Sequence, residues 1–231
     1  MIKGKGLLTP IQREIVTLLA GLPDQKFFYL TGGTALSEFY LGHRLSFDLD
    51  FFTVEAELVL PFSHQLEAAC PSQGLQVSVT RRFASFVEFL LHRGEESLRV
   101  DLALDAPFRF APPVLSEYGV WVNDFEDLKT EKVLAYYGRA EPRDAVDLYF
   151  ILQQEAPDHL FTLAAQKDPG FDLYWFALAL NRAADFPDEL ERWPVKMLAD
   201  FHPPELKRAF QQLAMDLMSR VTARPQGEAA D

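Results

Sequence analysis

The sequence predicts an α+β protein, with a mixed sheet and flanking helices in its N-terminal part followed by a C-terminal helical domain. Three observations carry that prediction. Between residues 27 and 104 the apolar side chains recur in short runs, largely of period two and broken by glycines. Beyond Val122 the period becomes 3.6 and holds to Thr222. A proline-containing stretch at 107–113 separates the two patterns and reads as a connector. The domains so drawn are 1–122 and 123–222, with a tail at 223–231 of proline, glycine and small or charged residues.

The elements follow in order. Thr9 caps a first helix with Pro10 at its opening position, and Ile11, Ile15, Leu18, Leu19 and Leu22 recur at helical spacing. Residues 27–30 form a short strand that stops at Thr31-Gly32-Gly33; a helix opens at Thr34 and is capped by Gly42. Residues 47–51 alternate strictly between apolar and acidic. On a strand this puts Phe47, Leu49 and Phe51 on one face and both Asp48 and Asp50 on the other. A helix at 61–70 precedes strands at 75–80, 83–91 and 97–104, with a hairpin turn at Gly94. In the last of these Leu98, Val100, Leu102 and Leu104 share a face, so Asp101 points the other way with Arg99 and Ala103. Asp124 caps a helix running to Gly138, Glu141-Pro142 opens another, and further helices fall at 158–167, 171–184 and 204–222.

Composition narrows the function. With 22 basic and 34 acidic side chains in 231 residues the net charge is −12, which excludes a protein that grips nucleic acid by bulk charge. The excess is uneven: 10 basic against 14 acidic up to residue 122, and 12 against 20 beyond it. Cys70 is the lone cysteine, so an intrachain disulfide and a thiolate zinc site are excluded. The five histidines never show the spacing of a zinc helix. No apolar run reaches the roughly 18 residues that span a bilayer, and the first residues lack the apolar core of a signal peptide. A cytoplasmic protein with no membrane attachment is expected.

A strand ending in Gly32-Gly33 with a helix opening at Thr34 offers backbone N–H groups and the positive end of a helix dipole, which suit phosphate oxygens; paired glycines also serve plain turn chemistry. Asp48 and Asp50 supply two hard oxygen ligands side by side, suited to magnesium, although alternating acids also mark solvated strand faces. Asp101 adds a third acid with compatible facing. Three carboxylates gathered together repel one another and need cations to compensate.

The order of glycine turn, DxD and third aspartate resembles the nucleotidyltransferase superfamily. The local sequence is similar to its AbiEii/AbiGii toxin family, to which the MenT-like nucleotidyltransferase toxins are related. The matching stretches are Leu30-Thr31-Gly32-Gly33-Thr34-Ala35-Leu36, then His43-Arg44-Leu45-Ser46-Phe47-Asp48-Leu49-Asp50-Phe51-Phe52. Later come Lys132-Val133-Leu134-Ala135, Arg139, Arg143-Asp144 and Asp147-Leu148-Tyr149. The resemblance implies nucleotide binding by Gly32, Gly33 and Thr34, and metal binding by Asp48, Asp50 and Asp101. Arg44 and Ser46, in the loop entering the acidic strand, either position phosphate or only pin that loop; with Arg143 they complete the nucleotide-binding set, and the resemblance implies Lys132 and Asp147 as essential site residues. Strand phase selects Asp101 over Asp105 as the third acid. Without the resemblance, Arg143 and Asp147 read first as a surface ion pair at i, i+4, and Lys132 equally as a solvated helix lysine. One departure is Glu38, at a place where family members often carry a basic residue.

The implied chemistry is in-line transfer of a nucleoside monophosphate from an NTP, with pyrophosphate leaving and two Mg2+ ions neutralising charge. Expected partners are the NTP, an RNA acceptor such as a tRNA 3′ end or a protein acceptor, and a cognate antitoxin. The alternatives are a non-catalytic nucleotide-binding regulator of the same fold and, less consistent with the glycines and Lys132, a DxD glycosyltransferase.

Overall fold

A computed structural model describes residues 1–223; the tail assigned to 223–231 lies outside the described residues except for Ala223, which ends the last helix. The described chain forms two compact units. One comprises Met1–Leu128 with Lys196–Ala199, the other Lys129–Val195 with the residues from Asp200 onward.

The first unit is built on a seven-stranded mixed sheet. Its strands are β1 (Tyr29–Thr31), β3 (Asp48–Thr53), β4 (Gln76–Phe83), β5 (Phe86–Arg93), β6 (Glu96–Leu104), β7 (Val114–Leu115) and β8 (Trp121–Val122). Their spatial order is β4-β5-β6-β3-β1-β8-β7. β3 runs parallel to β6 and antiparallel to β1, and β8 runs parallel to β1. A separate two-stranded ladder joins β2 (Arg44–Leu45) to β9 (Lys196–Met197). The two-residue strands β2, β7, β8 and β9 are additions to the elements read from the sequence. They are too short to carry a period of their own and exist through their partners.

Helix α1 (Pro10–Ala20) opens with a full capping box between Thr9 and Gln12, and Ile11, Ile15, Val16 and Leu19 are buried. Gln12 does a second job, donating from Nε2 to the Ser46 carbonyl at 2.9 Å. α2 (Gly32–Ala35) does not continue as an ordinary helix. It passes into a π-helical turn at Leu36–Leu41, closed by Gly42 in the left-handed region at φ 70° with its N–H on the Ser37 carbonyl. α3 (Val59–Ala69) covers the sheet through Phe62, which stacks on Phe28 with centroids 4.0 Å apart. On β3 and β6 the buried side chains Leu49, Phe51, Leu98, Val100 and Leu102 turn to the core, as the alternation predicts, whereas Leu104 at the end of β6 is exposed. Phe47 does not join them. The strand begins only at Asp48, so Phe47 escapes its phase and is 54% exposed.

Helix α4 (Phe125–Arg139) receives the Asp124 carboxylate on the Glu126 N–H, and the boundary between the units falls within it, after Leu128. The second unit continues with α5 (Pro142–Leu152), α6 (Pro157–Lys167), α7 (Leu173–Asn181) and α8 (Pro203–Ala223). The predicted stripe on α8 is buried at Leu206, Phe210, Ala214 and Leu217, with the Phe210 ring edge-on to Tyr136 at 5.2 Å. Phe161, Phe171 and Phe176 form an aromatic cluster between α6 and α7.

Candidate active site

In the first unit the glycine turn meets the acidic strand. Thr31 is the register partner of Asp50 across β1 and β3. Gly32 follows with φ +69°, a conformation that favours glycine, and a Cβ there would lie 2.2 Å from Asp50 Oδ2. A Cβ on Gly33 would meet Arg44 Nη2 at 2.7 Å and Ser46 Oγ at 2.9 Å. Arg44 and Ser46 thus lean directly on the Gly33 backbone. Arg44 is buried, and its Nη1 also donates to the Leu45 carbonyl at 3.1 Å. The Thr34 hydroxyl donates to the Asp48 carbonyl and ties the turn to the acidic strand.

Parallel pairing of β3 with β6 sets Asp50 opposite Asp101 and Asp48 opposite Arg99. Adjacent strands lie about 4.8 Å apart, so register partners share a face at close range. On the far side of β6, Glu88 of β5 is the register partner of Asp101. A row of acids, Asp50, Asp101 and Glu88, therefore crosses three strands. Burial pushes the Asp101 carboxyl up to about 7, with the Asp50 charge the next contribution and Arg99 opposing. Asp105 sits elsewhere. It accepts from the Tyr29 hydroxyl and lies 4.0 Å from Arg109, and so is held in a different set of contacts from the Asp50–Asp101 pair.

Asp101 Oδ1 is buried with no hydrogen-bond donor, an oxygen ligand left open beside two further carboxylates. Hard anionic oxygens of this kind suit a divalent cation such as Mg2+. Arg99 is the residue that sequence reading placed on this face without giving it work. Its Nη2 lies 2.5 Å from Asp48 Oδ2 and its Nε 3.7 Å from Asp101 Oδ2.

In the second unit the Lys-and-aspartate segments converge. Lys132 Nζ on α4 lies 2.8 Å from Asp147 Oδ2 and 3.6 Å from Asp144 Oδ1 on α5. Both aspartates are fully buried. Asp144 in turn takes a bidentate grip from Arg139, at 2.6 Å through Nε and 2.9 Å through Nη2. Asp144 was in view as part of the Arg143-Asp144 pair but had no assigned role. Arg143 pairs with Glu141 at 3.1 Å, and Lys129 pairs with Glu155 at 2.6 Å. Each of the four cations on these two helices thus has an acid partner within its own unit.

Glu38 has a structural role. Its buried carboxylate accepts the backbone N–H groups of Gly6, Leu7 and Leu8 at 3.0, 2.6 and 3.1 Å and the Tyr118 hydroxyl at 2.9 Å. It anchors the N-terminal strap.

The fold is that of nucleotidyltransferases. A Helicobacter pylori structure described as a candidate nucleotidyltransferase superposes with TM-score 0.60 at 19% identity, over 95% of this chain and 100% of that one. JHP933 from the same species gives TM-score 0.58 at 19% identity, over 91% and 90% of the two chains. MenT4, a nucleotidyltransferase toxin of Mycobacterium tuberculosis H37Rv, gives 0.54 at 16% identity, over 95% and 83%. In sequence, the uncharacterized protein aq_aa25 of Aquifex aeolicus is 27% identical over 191 residues, covering 78% of this chain and 84% of its own. The family model for the nucleotidyl transferase AbiEii toxin of type IV toxin–antitoxin systems matches residues 17–225, and the chain belongs to that family.

Proposed function

We propose that the chain transfers a nucleoside monophosphate from an NTP to an acceptor, with Asp48, Asp50 and Asp101 as the metal-binding carboxylates. The observation that carries this reading is the register pairing of Asp50 with Asp101, with Asp48 two residues away on the same face and Asp101 Oδ1 open. Bound there, Mg2+ would neutralise phosphate charge and acidify the attacking hydroxyl. The chain's own residues do the rest. Gly32 and Gly33 let phosphate oxygens approach the backbone, and Arg44 and Ser46 converge on Gly33, where they orient the polyphosphate. Asp101, the third of these carboxylates, would also receive the proton released by the acceptor hydroxyl.

Within the helical unit, Asp147 fixes the Lys132 ammonium group. The acceptor is an RNA 3′ hydroxyl or a protein hydroxyl, and the protein acts as the toxin of a pair whose antitoxin restrains it in the cytoplasm. The family membership supports the toxin assignment.

The deciding experiment incubates the protein with each α-labelled NTP, Mg2+, total RNA and cell protein. Label on either acceptor class that disappears with Asp50→Asn supports the reading and identifies the acceptor. Tight NTP binding with neither label transfer nor pyrophosphate release overturns it in favour of a non-catalytic regulator.

A further inference from the structure

Arg99 occupies an unusual position for a cation on a carboxylate-bearing face. It is the register partner of Asp48. Its Nη2 lies 2.5 Å from Asp48 Oδ2, while its Nε, buried and without a hydrogen-bond acceptor, stops 3.7 Å from Asp101 Oδ2. The guanidinium is therefore committed to Asp48 and only leans on Asp101, whose Oδ1 is left without a donor. An arginine that completed this face as a permanent structural bridge would satisfy both acids through its planar fork. Here one acid is held, the other is left open, and one donor is wasted.

We propose that Arg99 is a resident counter-cation that competes with the divalent metal for Asp48 and withdraws when the metal binds. The inference rests on the reading of Asp48, Asp50 and Asp101 as a metal centre and adds to it how that centre is regulated. Two effects act in the same direction. A metal entering between Asp48 and Asp101 must break the Asp48 ion pair, and it meets a like charge at short range until the guanidinium swings out. Arg99 is part-exposed, so its long side chain has solvent to swing into. The released guanidinium is then free to meet an incoming phosphate. Arg99 thereby sets a threshold for metal occupancy in the nucleotide-free protein.

The test measures Mn2+ binding to the full-length protein without nucleotide, by calorimetry and by loss of the free-ion electron paramagnetic resonance signal. The variants are Arg99→Gln, Asp50→Asn and, as a control for net charge, Arg82→Gln, a surface arginine on β4 paired with Glu67. Arg99→Gln is expected to bind Mn2+ at least fivefold more tightly than the parent, and Arg82→Gln within twofold of it. If Arg99→Gln binds no more tightly than the parent, the proposal is overturned. Should the parent bind Mn2+ and Asp50→Asn not, that failure concerns Arg99 alone; should neither the parent nor Arg99→Gln bind Mn2+, the metal-centre reading falls with it. If Arg99→Gln does not fold, phenylglyoxal labelling of Arg99 in the parent, followed by peptide mapping, decides. Mn2+ is expected to speed that labelling, and unchanged or slower labelling overturns the proposal.

Discussion

Asp50 Oδ2 lies 2.2 Å from the point where a side chain on Gly32 would begin. The carboxylate and the glycine turn occupy each other's space, so the turn cannot take a larger residue without moving the acid. Gly32→Ala combines that clash with the cost of φ +69° and is expected to lose about 1–3 kcal/mol of stability. Transfer activity should fall with it by at least a hundredfold. Gly33→Ala meets only the ends of the Arg44 and Ser46 side chains and should melt closer to the parent while still losing activity. Chemical denaturation and the label-transfer assay read both.

Asp101→Asn should make the metal-free protein more stable while abolishing transfer. It removes one of three neighbouring carboxylates, a buried one whose ionised form is disfavoured by burial and by Asp50. A gain of about 1 kcal/mol, or about 2–4 °C in Tm at this chain length, is the expected size. Melting in chelator checks it, and an unchanged or lowered Tm contradicts it.

The Lys132–Asp147 pair predicts a non-additive cycle. Lys132→Met removes the ammonium group 2.8 Å from buried Asp147, and Asp147→Asn takes from Lys132 the nearer of its two carboxylates. Each should cost about 1–3 kcal/mol, the range for removing one partner of a buried charged contact. The double variant should recover a large part of the sum, with a coupling of about 1–3 kcal/mol in urea titrations.

Glu38→Gln should loosen residues 6–8 without touching the Asp48, Asp50 and Asp101 carboxylates. It replaces a charged acceptor of three backbone N–H groups and the Tyr118 hydroxyl with a neutral one. The expected loss is about 1–3 kcal/mol, accompanied by faster amide exchange at Gly6, Leu7 and Leu8. Metal affinity should stay at the parent value.

Cys70 is buried, and burial, followed by the Glu67 charge, pushes its thiol up to about 11. The reactive thiolate is therefore scarce below that pH in the folded chain. Thiol reagents at pH 8 should leave the native protein untouched and modify the guanidinium-unfolded protein fully; rapid labelling of the native state would contradict the assignment.

Much of the fold could be read from periodicity. The alternation at 48–53 and the 3.6 spacing on α8 each bury a continuous face, so the burial requirement is printed along the chain. The strands β7, β8 and β9 and the π-helical turn carry no such signal. Their form comes from distant backbone partners or from one locally altered hydrogen-bonding turn. The site divides in the same way. Asp48, Asp50 and Asp101 follow from strand phase, which a single sequence shows. That Arg99 meets Asp48, or that Asp144 links Arg139 to Lys132, follows from which residues stand opposite each other across strands and helices. A single sequence does not print that register. The signal for Arg99 was present all the same: it shares its strand face with Asp101, two residues away.

The ladder between β2 and β9 has a consequence for how the gene can be divided. Arg44, which rests on Gly33, is backbone-paired to Met197, and the His43 carbonyl accepts the N–H groups of Leu198 and Ala199. The sheet-bearing unit is therefore written in two separate stretches of the gene, with most of the helical unit encoded between them. A reading frame stopped after Leu128 would yield the acidic strands but leave the Arg44 segment without these partners. Complementation by co-expressed fragments would restore it only if the second fragment carries residues 196–199.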